Sequence, residues 1–233
     1  MTQRDSIEEP AARARPAPRL RRPRRTAQQS REQIMRAATA EFAAHGLAGA
    51  RISRIVQKAG TNPRMIYQHF GSKSALYVAA LENALAELRG EELGLDVEHL
   101  DPVEGLLQLF DFMNAHFERS GYLVRLLTTE NLTKARYMKK SSRIREMSFP
   151  VLEMIKRLLS RGAAEGTIAN DIDPLRLYVM MVALSQFHVS NVHTLSIIFE
   201  QDLSRPEWRA TRRADARKML ASYLVNQDPP ADS

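Results

Sequence analysis

Pro63, Arg64, Met65 and Gln68 fall in a short stretch, PRMIYQHF, whose Ile66 and Phe70 stand four residues apart. In a helix that spacing buries the two apolar side chains and leaves Arg64, Met65, Gln68 and His69 largely outward. Outward residues on a short helix are placed for a DNA major groove, where an arginine can donate two hydrogen bonds to one guanine. A bidentate contact of that kind from Arg64 discriminates between bases by about 1–3 kcal/mol. No metal or nucleophile chemistry competes for these residues. The chain has no Cys, and HExxH, GxSxG and phosphate-binding-loop motifs are absent. His188 and His193 are five apart, which keeps them off one helical face as zinc ligands. An enzyme reading therefore lacks a site.

The elements that must hold this helix are legible on either side of it. Ile52, Ile55, Val56 and Ala59 follow at 0, +3, +4 and +7, the repeat of one apolar helix face. Gly60 comes next, where a helix commonly ends in a left-handed residue. Asn62 offers an N-cap and Pro63 occupies the first helical position, where a missing N–H costs nothing. Two short helices with a glycine between them make a helix-turn-helix; an ordinary helical hairpin is the alternative. Upstream, Ser30-Arg31-Glu32-Gln33 has the form of a capping box, opening a helix through Ile34, Ala37, Ala38, Glu41 and Phe42 to His45-Gly46. Downstream, Gly71 breaks the chain and Ser72 caps a helix from Lys73 to about Gly90. The N–H groups at its start, helped by Lys73, suit a backbone phosphate.

Beyond residue 100 the pattern is of longer amphipathic helices. One starts at Asp101-Pro102, one covers Tyr122 to Asn131, and a stretch from Lys134 to Arg161 is interrupted by Pro150. Another starts at Pro174 and a last one runs from Pro206 to Val225. No strand-like alternation appears, so the fold class is all-α: a three-helix DNA-binding unit followed by a larger helical domain. The divisions read as 1–27, a disordered basic arm; 28–90, the helix-turn-helix unit with the start of a linking helix; 91–225, the C-terminal domain; and 226–233, a tail. The helix after Leu175 is continuously apolar from Leu177 to Leu184, which requires either a larger core around it or a second chain against its outer face.

The net charge of +7 is uneven. Residues 1–25 carry eight arginines against Asp5, Glu8 and Glu9, a net +5. Prolines 10, 16, 18 and 23 break any amphipathic helix there. Two readings remain: a solvated tail, or an arm lying along DNA phosphates or in a minor groove. If it is an arm, deleting residues 1–25 lowers both operator affinity and the salt dependence of binding, measured by titration at several salt concentrations. An unchanged slope identifies a tail. No run of 18 or more uninterrupted apolar residues exists, so no membrane span is expected.

The motif as a whole resembles the DNA-binding domain of the TetR family. Gly46, Ile52, Ile55, Ala59, Gly60, Tyr67, His69, Phe70, Ser72, Lys73 and Leu76 fit that family's pattern. The chain departs from it at Arg51, where a Thr or Ser cap is usual, at Val56 and at Thr61. Arg51 weakens the cap argument but is long and charged enough to reach a phosphate. The resemblance is specific over about 28–85 and looser to about 225. It implies that Tyr67, His69 and Lys73 contact phosphates; a partly buried Tyr67 and a merely exposed His69 are the alternatives. It also implies a ligand-responsive repressor on a palindromic DNA operator, a homodimer through the last two long helices, and a bacterial, cytoplasmic, nucleoid-associated protein. A DNA-binding dimer without a ligand is the rival reading.

A small-molecule effector is likewise what the resemblance implies, with no other cofactor and no metal. Phe112, His116, Phe117, Tyr122, Arg125, Met147, Met154 and Tyr178 are the residue types from which such a cavity is made, plain core being the alternative for each. The stretches Arg125–Asn131 and His188–Phe199 resemble a branch of the family that regulates aromatic and heterocycle catabolism. That points to an aromatic or heteroaromatic acid, with Arg125 or His116 as partner for its carboxylate.

Overall fold

The computed structural model describes residues 26–225, and the basic arm and the tail lie outside them. Among these residues ten α-helices follow one another: α1 Ala27–Gly49, α2 Ile52–Ala59, α3 Pro63–Phe70, α4 Lys73–Leu93, α5 Pro102–Arg119, α6 Gly121–Leu132, α7 Ser142–Glu146, α8 Phe149–Ala164, α9 Pro174–Ile198 and α10 Pro206–Leu224. Among the described residues the β-structure amounts to one isolated bridge between Ile168 and Val225. No helix among them is long and apolar enough to cross a membrane.

The local signals act where the sequence places them. Gly60 adopts φ 59°, ψ 44° and ends α2. The Asn62 side chain accepts the Met65 N–H at 3.1 Å, and Ser72 accepts that of Ala75 at 3.0 Å. Arg51 precedes α2 without capping it through its side chain. Two expectations are corrected. The capping box belongs to Thr26 and Gln29, not to Ser30 and Gln33, so α1 starts about one turn earlier. The helix expected from Lys134 is a turn instead, with Lys134 and Ala135 at φ 55° and 56°. Pro150 then sits in the first turn of α8, where it starts a helix rather than kinking one.

Packing forms two linked bodies. Helix α1 lies against α2, α4 and α6, and α3 against α4. In the larger domain α5 is central, touching α8, α9 and α10. Its Leu106, Leu109, Phe110, Met113 and Phe117 are buried on one side and the other. On α9 only Leu177, Met181, Ser185 and His188 are buried. Its opposite face leaves Leu175, Val179, Met180 and Phe187 exposed. One chain therefore covers half of a helix whose sequence is apolar all round.

Candidate nucleic-acid interface

Helix α2 is held by a buried carboxylate that the sequence pattern does not advertise. Glu41, on α1, is completely buried. Its Oε1 accepts the Arg51 N–H at 3.0 Å and the Arg54 Nε–H at 2.5 Å, and Lys58 Nζ lies 3.7 Å from Oε2. Arg54 also donates to the Gly49 carbonyl at 2.8 Å. Where Arg51 offers no side-chain cap, Glu41 takes the orphan amide instead. Burial opposes ionisation of this carboxyl, but the Arg51 amide and the Arg54 guanidinium outweigh it and hold its pKa below the ordinary value.

On α3 the buried residue is Ile66, with Phe70 half-buried and Arg31 of α1 lying 5.4 Å over its ring. Arg64, Tyr67 and Gln68 are exposed and fall at 0, +3 and +4, so they share the outward face. Met65 and His69 do not. Each immediately precedes a core residue of the helix, which turns it to the flank of the buried stripe. Met65 packs against the core, and His69 is half-buried with an unpartnered Nε2. The outward set is thus Arg64, Tyr67 and Gln68, where the sequence suggested Met65 and His69 alongside Arg64 and Gln68. Pro63, Asn62 and Arg51 are exposed nearby, and Lys73 is half-buried at the start of α4.

Residues 34–80 match the family described as bacterial regulatory proteins, tetR family, and residues 102–220 match the tetracyclin repressor-like C-terminal domain. The HTH-type transcriptional repressor NicS of Pseudomonas putida is 33% identical over 184 residues, 79% of this chain and 87% of that protein. The chain belongs to the TetR family. It is a DNA-binding transcriptional regulator. The HTH-type transcriptional repressor SCO4008 of Streptomyces coelicolor is 38% identical over 104 residues, covering 44% of this chain and 50% of the relative. Among solved structures, a TetR transcriptional regulator from Chloroflexus aurantiacus is 25% identical, with a TM-score of 0.62 over 86% of this chain and 98% of its own. The fold of the putative transcriptional regulator SCO4942 from Streptomyces coelicolor agrees at a TM-score of 0.64, with 23% identity over 84% of this chain and 98% of that one.

In this TetR-family chain the eight residues expected to line an effector cavity do not converge. Phe117 and Met154 are core. Phe112 lies 5.7 Å from the His116 ring, and His116 is buried with Nδ1 3.2 Å from Glu91. Burial lowers the His116 pKa in spite of that carboxylate. Tyr122 donates to Glu87, and burial followed by that bond pushes its phenol up to about 12. Met147 packs against the core just ahead of α8. Arg89 Nη1 donates to the Tyr178 hydroxyl at 2.6 Å, and the same nitrogen meets Glu92. Aromatic and Met side chains at helical spacing fill the core, where the polar ones are bonded within the chain apart from the buried and unpartnered His116 Nε2. Arg125 is the exception: it is exposed in a cleft of about 690 Å³ between α1, α6 and α9, which Arg209, Glu118 and His193 also line.

Arg89, Glu92 and Tyr178 do something the sequence did not suggest. They tie the far end of α4, whose near end carries α3, to α9. Burial raises the Glu92 pKa against the pull of Arg89. An ion pair this buried lends little net stability; its effect here is to join α4 to α9 through the Tyr178 hydroxyl.

Proposed function

We propose that the chain is a repressor that binds a two-fold symmetric operator as a homodimer and leaves it when a small anionic effector binds. The observation that carries this is the outward face of α3, where Arg64, Tyr67 and Gln68 project from a helix fixed by Ile66 and by the Glu41 clasp on its neighbour. Arg64 and Gln68 are the base-reading pair, with Asn62, Pro63 and Met65 at the groove edge. Tyr67, His69, Lys73 and Arg51 serve phosphates. Repression is supported by the relatives, all named as repressors. The dimer is supported by the uncovered apolar face of α9, since two recognition helices related by a dyad read a palindrome that one reads weakly.

The effector class is an aromatic or heteroaromatic acid, taken in the cleft beside Arg125 and Arg209. That cleft touches α1, so a ligand filling it acts on the helix that holds Glu41. To invert a 1:99 distribution of states it must favour one by about 5.5 kcal/mol.

Footprinting on the operator tests the readout. Arg64→Ala is expected to lose about 1–3 kcal/mol of discrimination at one base pair per half-site while non-specific affinity changes little. Full retention of sequence preference removes Arg64 from the readout. Benzoate and the pyridinecarboxylates, added to the same footprint, test the effector class. Release by any of them that is lost in Arg125→Ala supports the cleft, and protection unchanged by all of them sinks it.

A further inference from the structure

Residues 134–145, between α6 and α8, carry Lys134, Arg136, Lys139, Lys140, Arg143 and Arg145 and no acidic residue. Residues 91–225 as a whole hold eighteen Lys and Arg against eighteen Asp and Glu, so the C-terminal domain outside this segment is net −6. All six cations are exposed. Arg143 lies 3.8 Å from Glu82, and among the described residues the other five meet no carboxylate. An ordinary solvated face intersperses the two signs; this one does not.

The segment is held in place against α4. Lys134 and Ala135 take left-handed backbone conformations, which are costly for residues with a side chain. The Ala135 N–H donates to the Glu130 carbonyl at 2.7 Å, and Glu130 Oε2 accepts the Tyr137 and Met138 amides at 3.1 and 3.0 Å. Tyr137 meets Tyr77 edge to face at 5.4 Å, with Arg136 and Lys140 lying 5.8 and 5.1 Å from its own centroid. Farther along, the Ser141 hydroxyl donates to Glu82 at 2.6 Å. At 1.5 Å per helical residue, Tyr77 stands about 6 Å along α4 from Lys73, and Glu82 about 14 Å. The segment therefore runs up α4 from the end that adjoins α3. Arg136 also shares a cavity wall with residues 45–48, just ahead of Arg51. Lys134 and Arg136 thus continue the basic surface that Arg51 and Lys73 begin.

We propose that residues 134–145 form a second DNA-contacting surface, which lies against backbone phosphates flanking the half-site read by α3. A domain of net −6 beside a polyanion is repelled by it, and six exposed cations at the edge nearest the duplex reverse that field locally. The partner is duplex DNA because the segment abuts the unit that already binds it. Lipid is a poorer match: Ile144 is buried, and Tyr137 and Met138 pack against the core, which leaves no large apolar side chain of the segment to enter a bilayer. Phosphate contacts carry no sequence information, so this surface lengthens the bound site without changing the preferred sequence. The inference rests on DNA binding and not on the effector, and its failure leaves the readout by α3 standing.

The test compares the full chain with a variant carrying Lys134→Asn, Arg136→Gln, Lys139→Gln and Lys140→Gln. Asparagine keeps the left-handed position accessible, and Tyr77, Glu130 and Tyr137 are untouched. The probes are an operator selected from random duplexes, on a fragment of about 20 base pairs and on one lengthened by about 10 arbitrary base pairs at each end. The parent is expected to bind the longer fragment more tightly and with a steeper salt dependence. The variant loses at least about fivefold on the longer fragment, its log–log salt slope falls by about one for each protomer bound, and it matches the parent on the short one. Lys139→Gln with Lys140→Gln leaves the turn unaltered and shows part of the same loss, which decides the matter should the larger variant melt early. Three results overturn the proposal. The first is unchanged affinity and slope on the longer fragment. The second is an equal loss on both fragments, which assigns the cations to the general field of the protein. The third is binding to phosphatidylserine vesicles that needs these cations while binding to the longer fragment does not.

Discussion

Val179→Glu combined with Phe187→Glu is expected to yield a folded monomer that no longer occupies its operator. Leu175, Val179, Ala183 and Phe187 recur every fourth residue along α9 and are all exposed, the two aliphatic and aromatic targets by 56% and 59%. On α10 Met219 and Tyr223, also four apart, extend the same kind of surface. Ridges of i±4 residues are what one helix sets into the grooves of another. The buried side of α9 is carried by Leu177, Met181, Ser185 and His188, so neither substitution enters the core. Each glutamate instead places an unpaired charge in the apolar face proposed to meet the second subunit. At about 2 kcal/mol for each central position, the pair raises the dimer dissociation constant on the order of a thousandfold. A separated subunit retains one recognition helix and its binding falls toward the non-specific level, at least about a thousandfold weaker. Sedimentation velocity should show the monomer, circular dichroism an unchanged helix content, and footprinting a lost operator. A double variant that remains dimeric moves the interface off α9.

What was legible in the sequence was what short-range chemistry decides. Gly60, Asn62 and Ser72 each settle one backbone conformation or one orphan amide within three residues of themselves, and each acts where its type predicts. The start of α1 misled because Thr26-x-x-Gln29 and Ser30-x-x-Gln33 carry the same signature, and a helix uses the earlier cap when its register continues without a break. The turn after α6 was invisible for the opposite reason. No glycine or proline marks Lys134 and Ala135; their conformation is imposed by Glu130, which gathers the amides of Tyr137 and Met138. Residue type alone points to the effector candidates, and type does not tell a core methionine from a cavity one. Nor does it show that Tyr77 and Glu130, far apart in the chain, bond to one another through the packing of α4 on α6. Arg125 was legible as a partner for a ligand carboxylate, and it lines a cleft, though exposed rather than buried.

Glu41→Ala is expected to lower global stability and operator affinity together, although residue 41 touches no DNA. The carboxylate accepts the first amide ahead of α2 and the Arg54 guanidinium, and it has no exposure to solvent. Charge-assisted bonds of this kind are worth about 1.5–3 kcal/mol each, offset by the desolvation that alanine avoids. A net loss of about 2 kcal/mol corresponds to a Tm lower by about 4–8 °C in a chain of this size. Glu41→Gln keeps one acceptor for the Arg51 amide and should fall between. The pH dependence separates charge from packing. The folded-state pKa of Glu41 lies below its unfolded value, so its contribution is complete above the unfolded pKa and disappears as pH falls through the folded one. The stability gap between the parent and Glu41→Gln should therefore be constant near neutrality and close in acid. A gap that persists unchanged at low pH assigns the effect to shape rather than charge. The operator measurement then decides what the clasp is for: the same salt slope with reduced sequence preference means that Glu41 aims α2 and, through it, the Arg64–Tyr67–Gln68 face.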